Sequence, residues 1–436
     1  MSELLGRNFL RALSHAGQRM KRDGDEGLRD AAITALADAA EVLTAGPGEA
    51  VVSIAGDAFY LGRTMLANAS TEFHTLLKSM KQRRIDSIVI QKGAIHRDLA
   101  DLAALVVGHS SDLPAGGTVR INERAMSTTD LDIRPMSGLR RSYAESLDTL
   151  RGVSNTGSLH LGEVLEVVDG FIAGGAADAG SSLLMATVQN HDEITYYHSV
   201  NVCLLSMALG RFAGLEKEQI RLLGLGALLH DIGRVVVDEA ALIHEGRLSN
   251  EDWAQVRLHP QEGALAIMAA SGPGQDLAAA VALEHHVRVD GGGYPDLAGR
   301  QPGLFSRIVA IIDAYDAITS YRPYRPARTP NEALRVLLAG AGKAHDADLL
   351  RMFIEMMGHY PPGSLLRLAG GEIVMVTPSE DPSAVVVRDR DGTVVERPHP
   401  ITFTQPDVVA QLLPDEAGVD PGSLLEVLEQ QERVGR

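Results

Sequence analysis

Seven of the chain's fifteen histidines (His191, His198, His230, His244, His259, His285 and His286) fall within about a fifth of its length. His230 and Asp231 close the apolar run "LGALLHDIGR", so both side chains leave an element built for burial. A buried carboxylate is costly unless a cation or several donors meet it. Asp313 sits in equally apolar company within "IVAIIDAYDAITS", and "EHHVRVDGGGYPD" supplies the adjacent pair His285 and His286. Imidazole and carboxylate together suit divalent iron, manganese, zinc or nickel. With one cysteine in the chain, a structural zinc site is not expected. Downstream of the paired histidines, Gly291, Gly292 and Gly293 allow backbone to approach a ligand closely, and Tyr294 and Pro295 shape and stiffen the exit. Asp290 reads as a structural partner for this loop, within reach of Arg288.

Helices must position most of these groups. From Gly138 to about Gly358 the apolar spacing is almost wholly helical, as in "IRLLGLGALLHDIG" and "LFSRIVAIIDAYDAITS". The first third instead alternates patterns. Helices are predicted over Leu28 to Leu43, from Thr71 as N-cap, and up to Gly108; strands flank a Gly56-Asp57 turn and cover Asp86 to Gln91. "SLLRLAGGEIVMVTP" and "AVVVRDRDGTVVERP" predict strands after Pro361-Pro362. The expected organisation is an α/β regulatory or dimerising unit over 1–135, a helical connector over 136–190, a helical catalytic domain over 191–360, and a β-hairpin appendage with a tail over 361–436.

Composition narrows the function. The chain is 45% hydrophobic and 22% charged, with a net charge of -17, which excludes bulk nucleic-acid or anionic-membrane binding as a main activity. Any anionic ligand must meet local positive charge. Arg7, Arg11 and His15 interrupt the N-terminal apolar residues, no membrane span is expected, and the lone Cys203 reads as a core residue in a reducing, cytoplasmic protein.

The segments "YYHSVNV", "LLHDIGR", "RLHPQEG", "EHHVRVDGGGYP" and "DAYDAITSYRPYRPA" resemble, in order and spacing, the HD-GYP family. This branch of the HD metal-dependent phosphohydrolases includes bacterial cyclic di-GMP phosphodiesterases. The likeness covers roughly residues 190–358 and implies an all-α HD-type catalytic fold between the α/β unit and the β appendage. It further implies that His198, His230 and Asp313 hold one divalent ion, Fe or Mn, that His259, His285 and His286 hold a second, and that Asp231 bridges them. Asp231 and Arg234 would act at the reaction, in which a bridging hydroxide opens cyclic di-GMP to pGpG or on to GMP. Arg322 and Arg325 align with the family's phosphate-holding positions, and Tyr294, Gly293 and Pro295 with its pocket wall.

Some members hold a third ion through a glutamate one turn before the first histidine. Here that position is Ile194, with Glu193 one residue off, so two ions are expected. Two departures stand out: Arg234 replaces the usual lysine, and Val287 replaces the glutamate that usually follows the paired histidines. They support an alternative, a receptor or adaptor that binds a cyclic dinucleotide without cleaving it. Hydrolysis of another cyclic dinucleotide, such as 3',3'-cGAMP, is a third reading. A homodimer through the N-terminal unit or the connector is also expected.

Overall fold

The computed structural model describes residues 2–20, 26–46, 48–62, 64–66, 69–110, 113, 117–123, 138–175, 179–186, 194–235, 249–320, 326–378, 383–395 and 398–419. They divide into two compact units, Met1–Ser137 and Gly138–Arg436.

In the first unit, helices α1 (Ser2–Met20), α2 (Glu26–Thr44), α3 (Ala69–Glu72), α4 (His74–Gln82) and α5 (His96–Val107) accompany five strands. The strands β1 (Glu49–Ala55), β2 (Ala58–Leu61), β3 (Thr64–Met65), β4 (Ser87–Gln91) and β5 (Val119–Ile121) form one sheet in the order β3-β2-β1-β4-β5. All its neighbours are antiparallel. Val52, Ile88 and Ile90 meet Leu10, Leu36 and Leu102 of the helices in one core. The strand turn falls at Gly56, with φ +61°, and α5 stops at Gly108 in the left-handed region. Thr71 is a correction: it lies buried inside α3, and Phe73 caps the next helix. The break follows Glu72, a buried carboxylate held by Arg7 at 2.7 Å and Arg11 at 2.8 Å.

The second unit is helical over α6 (Gly138–Thr156), α7 (Leu161–Ala173), α8 (Ala179–Met185), α9 (Ile194–Phe212) and α10 (Lys217–Leu229). A 3-10 turn (Ile232–Val235) precedes α11 (Asn250–Val256), α12 (His259–Ala269), α13 (Gln275–Glu284), α14 (Leu304–Thr319), α15 (Pro330–Ala339) and α16 (Ala347–Met357). Helix α9 buries residues all round, including Val200, Cys203, Leu204 and Met207, so it is the central rod of this core. Cys203 donates to the Gly224 carbonyl at 3.3 Å, and burial pushes its thiol pKa up. Residues read as a connector belong here too: Tyr143 and Leu147 of α6 and Phe171 of α7 share the core of the histidine-bearing helices.

The C-terminal strands make a full sheet rather than a hairpin. β6 (Leu365–Leu368), β7 (Ile373–Val376), β8 (Ser383–Arg388), β9 (Pro400–Thr402) and β10 (Val408–Leu412) are ordered β10-β6-β7-β8-β9. Period-two alternation gives this sheet two apolar faces. Leu365, Ile373, Met375, Val385 and Val387 join the helical core, whereas Leu366, Val374, Val376 and Val386 pack with Phe403. Among the described residues, no helix is long and apolar enough to cross a membrane.

Candidate metal centre

Five segments converge on one buried point. His198 lies in the second turn of α9, His230 and Asp231 directly follow α10, His259 opens α12, His285 and His286 follow α13, and Asp313 lies on α14. Their ligand atoms form two groups, one of His198, His230 and Asp313, the other of Asp231, His259, His285 and His286. Asp231 Oδ2 is 3.7 Å from His198 Nε2 and 3.5 Å from His230 Nε2. Its Oδ1 is 3.2 Å from His259 Nε2 and 3.7 Å from His285 Nε2. One carboxylate thus presents an oxygen to each histidine pair.

Local backbone geometry selects which ring nitrogen faces inward. His230, His259 and His285 each donate Nδ1–H to the carbonyl three residues earlier: Ala227 at 2.8 Å, Val256 at 2.6 Å and Ala282 at 2.8 Å. A carbonyl only accepts, so Nδ1 carries the hydrogen and Nε2 turns its lone pair to the centre. His198 is oriented differently, donating Nδ1–H to Asp316 Oδ2 at 2.7 Å, which leaves Nε2 facing the centre. Asp316 is held in turn by Asn201 Nδ2 at 3.1 Å and Ser320 Oγ at 3.1 Å, and Asn201 accepts from the Tyr143 hydroxyl at 2.7 Å.

The buried atoms left without hydrogen-bond partners include His198 Nε2, His230 Nε2, His286 Nε2 and both oxygens of Asp231. His198 Nε2 comes within 3.0 Å of Asp313 Oδ1, and Arg234 Nε within 2.9 Å of Asp231 Oδ1, but neither contact is aligned as a hydrogen bond. Inward lone pairs and carboxylate oxygens without donors repel one another and invite a cation. The residues present therefore fit the divalent metals that an HD domain implies.

Electrostatics agree for four of the five histidines. Burial pushes His259 and His285 down to about 4 and lowers His230 and His286, so these rings stand neutral at pH 7, as metal ligands must. His198 differs: burial opposes its charge, but Asp313 and Asp316 override that and raise the ring to about 9, so it must lose its Nε2 hydrogen to act as a ligand. Burial opposes charge on Asp231, but the Arg234 guanidinium outweighs it and holds the carboxyl well below the usual carboxylate range.

Close backbone approach completes the site. A Cβ on Gly233 would strike the His259 carbonyl and come within 2.6 Å of Gly263 N, so glycine lets the turn after Asp231 lie against α12. At Gly293, φ is +84° and a Cβ would strike the His286 carbonyl. Val287 bridges to Gly293, and Tyr294 N–H donates to His286 O at 3.2 Å, folding the loop back on the histidine pair. The Tyr294 ring then lies 4.7 Å from that of His286, with Pro295 partly buried beside it. Asp290 accepts from Arg288 at 2.6 Å and from Gly292 N–H at 3.0 Å. Val287 itself is buried.

Asp316, Asn201 and Gly233 escaped the sequence reading. Asp316 and Asn201 each stand three residues after a ligand, which is one helical turn on the same face, and that spacing is the signal that was available. Arg322, Arg325, His191, His244 and Glu193 lie outside the described residues, as does the Ile194 side chain, so the third-ion reading has no structural counterpart here.

A family model described as "HD domain" matches residues 182–349. A cyclic di-GMP phosphodiesterase of Pseudomonas aeruginosa is 38% identical over 48% of this chain and 51% of its own. The cyclic di-GMP phosphodiesterase response regulator RpfG of Xanthomonas campestris pv. campestris is 37% identical over 30% of this chain and 35% of its own. A 3'3'-cGAMP-specific phosphodiesterase of Vibrio cholerae is 34% identical, with 36% of each chain covered. The chain spans about half the length of the first relative and about a third of the other two. With its motifs in order and their imidazoles and carboxylates gathered at one buried point, residues 182–349 of this chain form an HD domain whose motifs resemble those of the HD-GYP family.

Proposed function

We propose that this protein is a metal-dependent phosphodiesterase that opens cyclic di-GMP to pGpG, and on to GMP, using two Fe or Mn ions. The observation that carries the reading is the division of Asp231 between two histidine pairs, with its oxygens 3.2 Å from His259 and 3.5 Å from His230. His198, His230 and Asp313 would hold one cation, His259, His285 and His286 the other, and Asp231 both. When bound, such cations supply Lewis-acid activation of water and neutralise phosphodiester charge.

The chain's own groups do the rest. Backbone carbonyls and Asp316 orient the imidazoles before any ligand arrives, which lowers the reorganisation needed on binding. Arg234 keeps Asp231 ionised from 2.9 Å and contributes positive charge beside the reacting phosphate. Because the protein carries a net charge of -17, the anionic substrate depends on such local cations, and Arg322 and Arg325 are assigned to its phosphates. Gly293, Tyr294 and Pro295 form the pocket wall next to His286.

The experiment couples elemental analysis of the purified protein to chromatography of cyclic di-GMP and 3',3'-cGAMP after incubation. Bound Fe or Mn with conversion of cyclic di-GMP to pGpG is expected. Faster loss of 3',3'-cGAMP would reassign the substrate, and tight binding with no product over hours would favour a receptor. We further propose that the first unit is a regulatory or dimerising module of a cytoplasmic protein. A lower oligomeric state for a chain beginning near residue 137 than for full length would support it, and an equal one would oppose it.

A further inference from the structure

The chain's single tryptophan, Trp253, stands six residues before the candidate ligand His259. Trp253 is 46% exposed, which leaves part of its indole open to a ligand. Helix α11 fixes its position: Ser249 caps the helix by accepting from Asp252 N–H at 3.1 Å, and Asp252 takes the Ser249 N–H at 2.9 Å. One turn on, the Arg257 guanidinium carbon lies 5.9 Å from the Trp253 ring centroid and 5.4 Å from that of Tyr294. Tyr294 is 4.7 Å from His286 and 6.3 Å from His259. Neighbouring planar groups therefore link an exposed indole to two candidate metal ligands.

Arg257 itself has no acidic partner among the described residues, in contrast to Arg221, Arg234 and Arg307, each of which faces a carboxylate. An arginine flanked by two aromatic rings is held by its faces and keeps its edge donors for something else. Guanine offers a matching edge, two acceptors at O6 and N7 that a guanidinium reads in bidentate fashion, and a flat face that stacks on indole. Adenine offers only one acceptor there beside a donor, which repels the fork.

We infer that Trp253 and Arg257 form a guanine-selecting shelf, with a substrate base stacked on the indole and read by the guanidinium while its phosphate faces the metal centre. The inference rests on the reading of this site as a cyclic-dinucleotide phosphodiesterase. It adds which residues discriminate the base. Trp253 and Arg257 are specificity residues, and neither is assigned to the metals or to the reacting phosphate.

Because Trp253 is the chain's only tryptophan, its emission reports on the shelf directly. The metal-loaded full-length protein is titrated with the phosphorothioate analogue of cyclic di-GMP, which resists hydrolysis, and with that of cyclic di-AMP. The guanine ligand is expected to quench emission with saturation, and the adenine ligand to bind at least about tenfold more weakly. Arg257→Ala and Arg257→Lys should raise KM for cyclic di-GMP about tenfold to a hundredfold. Trp253→Leu should raise KM and Trp253→Phe restore it, while turnover of bis(p-nitrophenyl) phosphate, which has no purine, stays at the wild-type rate in all four variants. Circular dichroism checks that the variants fold. Unchanged emission in a protein that hydrolyses cyclic di-GMP overturns the shelf and leaves the phosphodiesterase reading standing. Guanine-selective quenching without hydrolysis keeps the shelf and sinks that reading instead, and equal loss of both substrates in the variants overturns the shelf.

Discussion

His198 and Asp316 are joined across two helices by a 2.7 Å contact between Nδ1 and Oδ2, so a carboxylate on α14 sets the tautomer of a ligand on α9. Asp316→Asn keeps the size of the side chain but can offer His198 its amide hydrogens instead of an oxygen. Metal affinity is expected to fall about 10- to 100-fold, as for other carboxylates behind a ligating histidine. Competition with a chromophoric chelator measures it. Unchanged affinity would mean that the α9–α14 contact only packs the helices.

Metal removal should destabilise the fold itself, because buried lone pairs and the Asp231 oxygens lose their common partner. Binding to the native state alone adds about 2.7 kcal/mol at a free metal concentration a hundred times Kd. Chelator-treated protein should therefore melt at lower temperature, with recovery logarithmic in added Mn or Fe. A Tm indifferent to metal would count against a resident metal in this centre.

Gly233→Ala puts a methyl group against backbone, not a flexible side chain, since the His259 carbonyl and Gly263 N occupy that space. Strain of about 1–3 kcal/mol follows if the turn yields, and His259 moves with it. Thermal unfolding and metal content should both drop. Loss of neither would show that the turn and α12 are looser than the structure has them.

Val287 is apolar, buried and bridged to Gly293, which gives it a packing role in the loop. Val287→Ala should lower stability by about 1–2 kcal/mol, the value of the methyl groups removed from the interior. Metal stoichiometry should stay as in the wild type. A loss of metal with Tm unchanged would instead give Val287 a part in the centre.

Much of this arrangement was legible in the residues because its signals are local. The 3.6-residue period of "LGALLHDIGR" and "IVAIIDAYDAITS" fixes which side chains enter the core, so His230, Asp231 and Asp313 could be singled out without coordinates. The resemblance then grouped ligands that lie more than a hundred residues apart. What stayed hidden depends on contacts between segments. The Nδ1 tethers of His230, His259 and His285 need backbone coordinates, and the clash that reserves Gly233 for glycine needs α12 beside it. The C-terminal strands read as a hairpin because two of the five, β9 and β10, are short or half exposed and carry little alternation. The shelf at Trp253 was invisible for the same reason: Tyr294 approaches Arg257 only once the glycine loop has folded back.

Asp231 and the two histidine groups should act as one hydrolytic centre. Its most direct test is a chromatographic assay of metal-loaded wild type, Asp231→Ala and His230→Ala with cyclic di-GMP, with the metal content of each preparation measured alongside. Wild-type protein is expected to yield pGpG, and both variants to lose turnover together with bound metal. Wild-type protein that carries its metals yet leaves every cyclic dinucleotide intact, or an Asp231→Ala variant that turns over normally, would contradict it.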